Sequence, residues 1–232
     1  MKVKLINYTS QPEKTVTVAG RRCYSAAEVE TLSQKVDEEA TAKFIQKLLS
    51  LGHHSALEHA SFTFAVEGIS RVTSHQLVRH RIASYSQQSQ RYVKESQFDY
   101  VIPPLISQKP ALKNIFENTM QELQRVYRQF LQEGISPEDA RYVLPNATET
   151  KIVFTMNARE LLHFFCLRCC LRSQWEIVQL AENMLMEVKK VAPNIFRNAG
   201  PTCVYSSCPE GEMTCGKIKE VRAKYRGESV SG

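Results

Sequence analysis

Residues 79–92 read RHRIASYSQQSQRY, and this run constrains the rest of the chain most. Nearly every side chain in it can donate a hydrogen bond, and no acid interrupts it. Buried arginines need anionic or acceptor partners, so the run belongs on a surface or around a ligand. Planar guanidiniums with hydroxyls and amides between them suit an anionic, oxygen-rich ligand such as a nucleotide phosphate. The ordinary alternative is a solvated face or a basic patch for nucleic acid. Two details weigh against it. The basic residues are separated by small hydroxyl residues rather than by further Lys or Arg, and the run opens at the end of an apolar helical stretch.

The chain has 232 residues, enough for one large domain or two small ones. Its net charge of +6 is mildly basic and compatible with an anionic ligand. No apolar run approaches the ~20 residues of a membrane span, and MKVKLINYTS lacks the apolar core of a secretory signal. A cytoplasmic protein is the expectation. Seven cysteines, an odd number, argue against a disulfide framework. Cys166, Cys169 and Cys170 sit in the apolar stretch HFFCLRCCLR and read as core residues. Cys203, Cys208 and Cys215 lie in a Gly/Pro-rich tail and would need a fourth ligand to hold zinc. They lack a clean CxxC pair, so no metal is expected.

Alternation predicts a strand over residues 2–8, with 14–18 as a candidate partner strand. An apolar stripe of Val29, Leu32, Val36, Ala40, Phe44 and Leu48 predicts one helix over 26–50, stopped by Gly52. Phe62, Phe64 and Val66 alternate as in a strand, and 70–80 looks helical. The clearest amphipathic helix is 110–132, and Ser136-Pro137 opens a short one through Arg141. A strand over 149–156 and helices over 157–172 and 174–191 follow. From 198 the chain looks loose and polar. The fold class is α+β, with one domain over 1–198 and a Cys-containing tail over 199–232.

His53, His54, Glu58 and His59 invite a metal reading, but H-x-x-x-E-H misses the HxxEH spacing by one residue. Hydrogen bonding to a ligand, or helix capping with Ser55 as the cap, suits them better. Gln76 and Arg79 are three apart on a helix and can face one ligand. Asn157 is a natural N-cap. On the helix it opens, His163 shares a face with Arg159, while Arg168 lies nearly opposite, about 180° away. That helix is apolar nearly all round, which predicts buried arginines. If both serve active sites, one helix feeds two sites and the protein is an oligomer. The chain has no GxxxxGK[ST] loop and no GxGxxG fingerprint, so a nucleotide would be held by side chains. No GxSxG or Cys–His nucleophile motif is present either.

The run Arg79-His80-Arg81, seven residues, Ser89, Gln90-Arg91-Tyr92 resembles the signature of the flavin-dependent thymidylate synthases. RRCYS (21–25), HHSALEH (53–59), DARYVLP (139–145), NARELLHFFCLR (157–168) and QWE (174–176) resemble segments of that family in the same order. The resemblance implies a fold with a central antiparallel-rich sheet and flanking helices. It implies conversion of dUMP to dTMP with methylenetetrahydrofolate as one-carbon donor, and NADPH as reductant through bound FAD. The family uses no enzymic cysteine nucleophile. Members are homotetramers with active sites shared between subunits; neither nucleic acid nor a membrane is an expected partner. By position, Arg168 looks like the catalytic residue that binds uracil and stabilises its ionised N3. Gln76, Leu77, Val78, Arg79 and Arg141 would hold dUMP. Arg91 would hold it too, while the backbone of Gln87, Gln88, Ser89, Gln90 and Arg91, with Ser89 itself, would line the nucleotide from a neighbouring subunit. The flavin contacts would be His53, Ser55, Arg79, His80, Arg81, Gln87, Asn157, Arg159 and His163. Some members carry Asn and Glu where this chain has Ser86 and Gln87, and Asn in place of His163. A nucleic-acid module and a zinc-dependent regulator remain as rival readings.

Overall fold

The computed structural model describes residues 1–34, 37–94 and 97–226. In chain order its first elements are β1 (Lys2–Tyr8), α1 (Pro12–Arg22), α2 (Val29–Gln34), α3 (Glu38–Ser50) and β2 (Ser61–Ser70). Then come α4 (Arg71–Leu77), β3 (Ala83–Gln87), α5 (Pro104–Ser107), α6 (Pro110–Gln132) and α7 (Pro137–Ala140). The last are β4 (Glu149–Asn157), α8 (Ala158–Arg168), α9 (Trp175–Val191) and α10 (Ile218–Arg226). The strands form one sheet in the order β1-β2-β4-β3. Thr9 N–H donates to the Ser61 carbonyl and Ala158 N–H to the Ala60 carbonyl, so β1 and β4 both run antiparallel to β2. The fold is therefore α+β with an antiparallel sheet.

The chain divides into two compact units. The first comprises Met1–Lys2, Val66–Arg79 and Tyr85–Val153. Here Ser70 caps α4 by accepting Thr73 N–H, and α4 buries Thr73, Ser74 and Leu77. The long helix α6 starts on Pro110, where a missing N–H costs nothing, and buries Met120 and Tyr127. Gln124 Nε2 donates to the Phe98 carbonyl at 2.8 Å, tying the helix to the segment before it.

The second unit comprises Val3–Ala65, His80–Ser84 and the chain from Phe154 onward. Its core is aromatic. Phe62 meets Phe196 edge-on at 5.4 Å, and Phe165 meets Phe196 at 6.0 Å. Helix α9 is capped by Gln174, whose Oε1 accepts the N–H groups of Glu176 and Ile177. It buries Ile177, Leu180, Ala181, Met184, Leu185 and Val188 on one stripe.

Several expectations are corrected. Residues 14–18 lie inside α1, not in a strand. Pro12 at the first helical position and Glu13 in the first turn outweigh the β-branched Thr15-Val16-Thr17-Val18. The helix expected over 26–50 is two helices. Asp37 has an extended backbone and caps α3, its carboxylate accepting Ala40 N–H at 2.6 Å. Val36 of the expected stripe lies outside the described residues. The Arg-rich run contains a strand, β3, whose partly buried Ala83, Tyr85 and Gln87 alternate with exposed Ser84 and Ser86.

The segment after 198 is ordered rather than loose over its described part. Val204, Val221 and Cys203 form a satellite core with Ile218, Tyr225 and Cys208 packed on it. Tyr225 Oη donates to Glu182 at 2.9 Å, fastening α10 to α9. The sequence hid this because five of the nine residues of IKEVRAKYR are charged, which makes a short segment near the end of the chain read as solvated.

Gly200 controls how that segment leaves the core. Its φ is +154°, and a Cβ built there would lie 2.6 Å from the Tyr225 ring. Gly200→Ala should therefore destabilise the protein by about 1–3 kcal/mol through backbone strain and a displaced Tyr225. Urea unfolding followed by circular dichroism measures this; an unchanged midpoint would contradict it.

Candidate active site

In the second unit, helix α8 is the organising element. Asn157 caps it, Oδ1 accepting Glu160 N–H at 2.9 Å, as the sequence predicted. The next turns present Arg159, Glu160, His163, Phe164 and Arg168. Glu160 is buried, and its Oε1 lies 3.1 Å from Nδ1 of the buried His80. On the other side of that ring, Arg168 Nε donates to His80 Nε2 at 3.0 Å. Phe164 stands edge-on to the ring at 4.9 Å, and His163 at 5.8 Å. A carboxylate, an imidazole and a guanidinium are thus linked in one partly dry group.

Burial holds the His80 imidazole down at about 4, with the Arg168 and His163 charges acting in the same direction. His80 is therefore neutral at neutral pH. Burial pushes the Glu160 carboxyl up, and the neighbouring His163 pulls it back. Arg168 also lines a cavity of about 310 Å³ together with Cys166, Cys170, Thr202, Cys203 and Cys208. The segment after 198 is thus part of the wall beside Arg168.

A second cavity in the same unit, about 490 Å³, is lined by Cys23, Tyr24, His53, Ser55, His59 and Arg159 among others. That volume is in the range of small-molecule sites. Tyr24 Oη is 2.9 Å from His53 Nδ1, and the two rings are nearly parallel. Arg159 is not buried as expected; its side chain is 53% exposed and pairs with Glu58 at 2.5 Å. Nor does Ser55 act as a cap, because the turn His54–His59 starts from His53 without a side-chain cap.

In the first unit, Gln87 Nε2 donates to Ser74 Oγ at 2.9 Å and to Thr150 Oγ1 at 3.1 Å. Tyr85 Oη donates to the Leu77 carbonyl at 2.9 Å. Arg91 reaches the Glu138 carboxylate at 3.0 Å, and Arg141 Nε reaches the Glu138 carbonyl at 3.0 Å. Two arginines from distant parts of the sequence therefore meet around α7. Ser89 Oγ accepts Arg91 N–H at 3.2 Å, shaping the turn between them. Gln76 makes a long bond of 3.4 Å to the Val72 carbonyl within α4. Val78, Arg79 and Arg81 are exposed.

Residues 4–194 match the family described as thymidylate synthase complementing protein. A flavin-dependent thymidylate synthase of Geobacter sulfurreducens is 54% identical over 232 residues, covering 99% of this chain and all of that one. One from Clostridium tetani is 53% identical, covering 97% of each chain. The chain belongs to the flavin-dependent thymidylate synthases. Among solved structures, the UMP/dUMP methylase PolB from Streptomyces cacaoi, crystallised with 5-Br dUMP, superposes with a TM-score of 0.74. It is 26% identical, covering 84% of this chain and 93% of its own.

For a flavin-dependent thymidylate synthase, the expected residues separate by unit. Gln76, Leu77, Val78, Arg79, Gln87, Gln88, Ser89, Gln90, Arg91 and Arg141 fall in the first. His53, Ser55, His80, Arg81, Asn157, Arg159, His163 and Arg168 fall in the second. The structure brings His53, Ser55 and Arg159 to one cavity, and His80, His163 and Arg168 to one cluster. Asn157 spends its side-chain oxygen on the helix cap. His80 has both ring nitrogens engaged, so a flavin contact from it would come through its backbone. Sequence reasoning missed Tyr24 and Glu160. Tyr24 sits in RRCYS, a segment whose family resemblance was the available signal. Glu160, three residues after an N-cap, cannot be told from an ordinary capping-box acid. Among the described residues, no group of three His, Cys, Asp or Glu side chains is placed to hold a metal ion.

The His80 shift carries a sign that can be measured. The unfolded chain takes up this proton near the ordinary 6.5, the folded one only at about 4. Acid therefore favours unfolding, and the His80 contribution to stability is lost as pH falls from 6.5 to 4. The raised Glu160 carboxyl acts in the opposite sense, its contribution declining as pH rises. His80→Asn removes the titrating ring while keeping a polar group near Glu160. Thermal unfolding between pH 4 and 7 should show a shallower acid decline in this variant than in the wild type; equal slopes would contradict the assignment.

Proposed function

We propose that the enzyme methylates dUMP reductively to dTMP, with methylenetetrahydrofolate as carbon donor and NADPH as the reductant of bound FAD. The near-complete match to the Geobacter sulfurreducens synthase carries this reading. The 5-Br dUMP in the structural neighbour supports a pyrimidine nucleotide as substrate. That neighbour is named for UMP as well, but the more similar relatives are thymidylate synthases, which favours dUMP.

Arg168 is the proposed catalytic residue. A fixed guanidinium beside the uracil stabilises charge on N3, and an anionic ring is more nucleophilic at C5. Its Nε bond to His80 supports this role, because the group is held in place before the substrate arrives. Arg91 and Arg141 suit the phosphate dianion. A phosphate there would compete with Glu138 for Arg91. Gln76 and Arg79 complete the proposed nucleotide site, and the Gln87–Arg91 backbone with Ser89 is proposed to line it from a neighbouring subunit.

The donor set of the 490 Å³ cavity fits a flavin dinucleotide: Arg159 for a phosphate, His53 and Ser55 for ring or sugar groups, Tyr24 for stacking. His163 and the Arg79–Arg81 backbone would add to it. When bound, FAD supplies the hydride chemistry that the side chains lack. Burial pushes the Cys169 thiol up to about 12 and raises Cys203, so neither is a thiolate at neutral pH.

A homotetramer is proposed as the working form. Tyr142 is 84% exposed, Tyr92 80% and Leu105 76%, large apolar groups that subunit contact would cover. A cytoplasmic location is proposed; among the described residues no helix is long and apolar enough to cross a membrane.

The purified enzyme should bind FAD, and its visible flavin spectrum should bleach anaerobically on addition of NADPH with dUMP present. Absence of any flavin binding would overturn the reading. Arg168→Ala should retain FAD while losing roughly 10²–10³ in kcat, the usual cost of removing one electrostatic stabiliser. Near-normal turnover would remove Arg168 from its role.

A further inference from the structure

Glu160 has a buried carboxyl group on a helix whose other buried side chains, Ala158, Leu161, Phe164 and Phe165, are apolar, and the chemistry above gives it no task. At the third position after the Asn157 cap, it would ordinarily reach back to the cap's own N–H. Instead it turns inward to His80. An acid buried this way is costly unless it does something for its partner.

The hydrogen-bond directions settle what that is. Arg168 Nε carries a hydrogen and can only donate, so His80 Nε2 must be the bare, accepting nitrogen. The ring proton then sits on Nδ1, facing Glu160 Oε1 at 3.1 Å. The other tautomer would set two N–H groups head to head at the Arg168 side. It would also leave a bare nitrogen against the carboxylate. A doubly protonated ring has the same clash with Arg168. Glu160 favours the same tautomer from the Nδ1 side that Arg168 requires from the Nε2 side, while Phe164 and His163 meet the ring edge-on.

We propose that Glu160 is a positioning residue for catalysis: by accepting Nδ1–H it fixes the His80 tautomer whose Nε2 holds Arg168 Nε, and so orients the guanidinium. The Nε bond restrains rotation about the last single bonds of Arg168, and this sets the plane in which its terminal nitrogens lie. Without Glu160, the Nδ1–H loses its carboxylate acceptor, the other tautomer becomes more accessible, and the Nε bond that orients Arg168 is weakened. The proposal rests on the reading of Arg168 as the uracil-binding residue.

The test uses the FAD-loaded enzyme and reads dUMP affinity, kcat and the bound-flavin spectrum. Glu160→Ala should weaken dUMP binding about tenfold, the scale of one charge-assisted hydrogen bond. It should lower kcat while leaving FAD affinity and spectrum unchanged. Glu160→Gln, whose side-chain carbonyl still accepts Nδ1–H, should restore most of both. In an Arg168→Ala background, Glu160→Ala should change dUMP affinity less than about twofold, because its effect passes through the missing arginine. Additive effects, a matching loss of FAD, or no effect of Glu160→Ala would each overturn the proposal. An Arg168→Ala enzyme that binds dUMP normally would instead defeat the underlying reading of Arg168, and the proposal with it. Nitrogen NMR of the histidine rings in the unmodified enzyme is independent of variant folding. A proton on His80 Nδ1 supports the proposal, and a proton on Nε2 overturns it.

Discussion

A neutral imidazole held between a buried carboxylate and a guanidinium is the constraint on which the centre of this enzyme depends. His80 accepts from Arg168 and faces Glu160, and each bond makes the other directional. The ring stays uncharged because it is buried and stands beside a cation. A charged ring would put like charges together in a region of low dielectric, where repulsion is strong. Neutrality therefore lets Arg168 keep its full charge close to a core of phenylalanines.

The surroundings are built to keep that group still. The Asn157 cap fixes the start of α8 and with it the depth of Glu160. Phe164 and Phe165 anchor the middle of the helix, and Phe165 stacks edge-on with Phe196. The segment after 198 closes the far end, since Thr202, Cys203 and Cys208 share a cavity wall with Arg168. Arg91 and Arg141 are held in a different way. Arg91 and Arg141 sit at the surface around Glu138, where solvent weakens their pairing. A dianionic ligand can therefore displace an existing partner there at small cost, whereas the partly buried Arg168 is held by a buried histidine.

Much of this was legible in the residues. The alternation of Phe62, Phe64 and Val66, the stripe of α9, the span of α6 and the Asn157 cap follow from periodicity and capping chemistry, which are local. The expectations that failed were also local ones. Val16 and Thr17 favour strands by propensity, yet Pro12 and Glu13 start a helix through them. Asp37 breaks an apolar stripe that reads as continuous. Arg159 was expected inside because its helix is apolar, but it stands one position into the first turn, where the side chain reaches Glu58 and solvent.

The sequence by itself determined the family, the classes of helix and strand, and the set of residues able to hold an anion. Those properties depend on residue type and spacing along the chain. Only the tertiary structure decided how they are used: that His80 looks into the core while Arg79 and Arg81 face out, and that Glu160 serves a histidine eighty positions away rather than its own helix end. The same is true of Tyr24 against His53 and of the tail beside Arg168. Hydrogen-bond partners and burial are properties of distances in space. No periodicity in the chain encodes which nitrogen of a ring will meet which carboxylate.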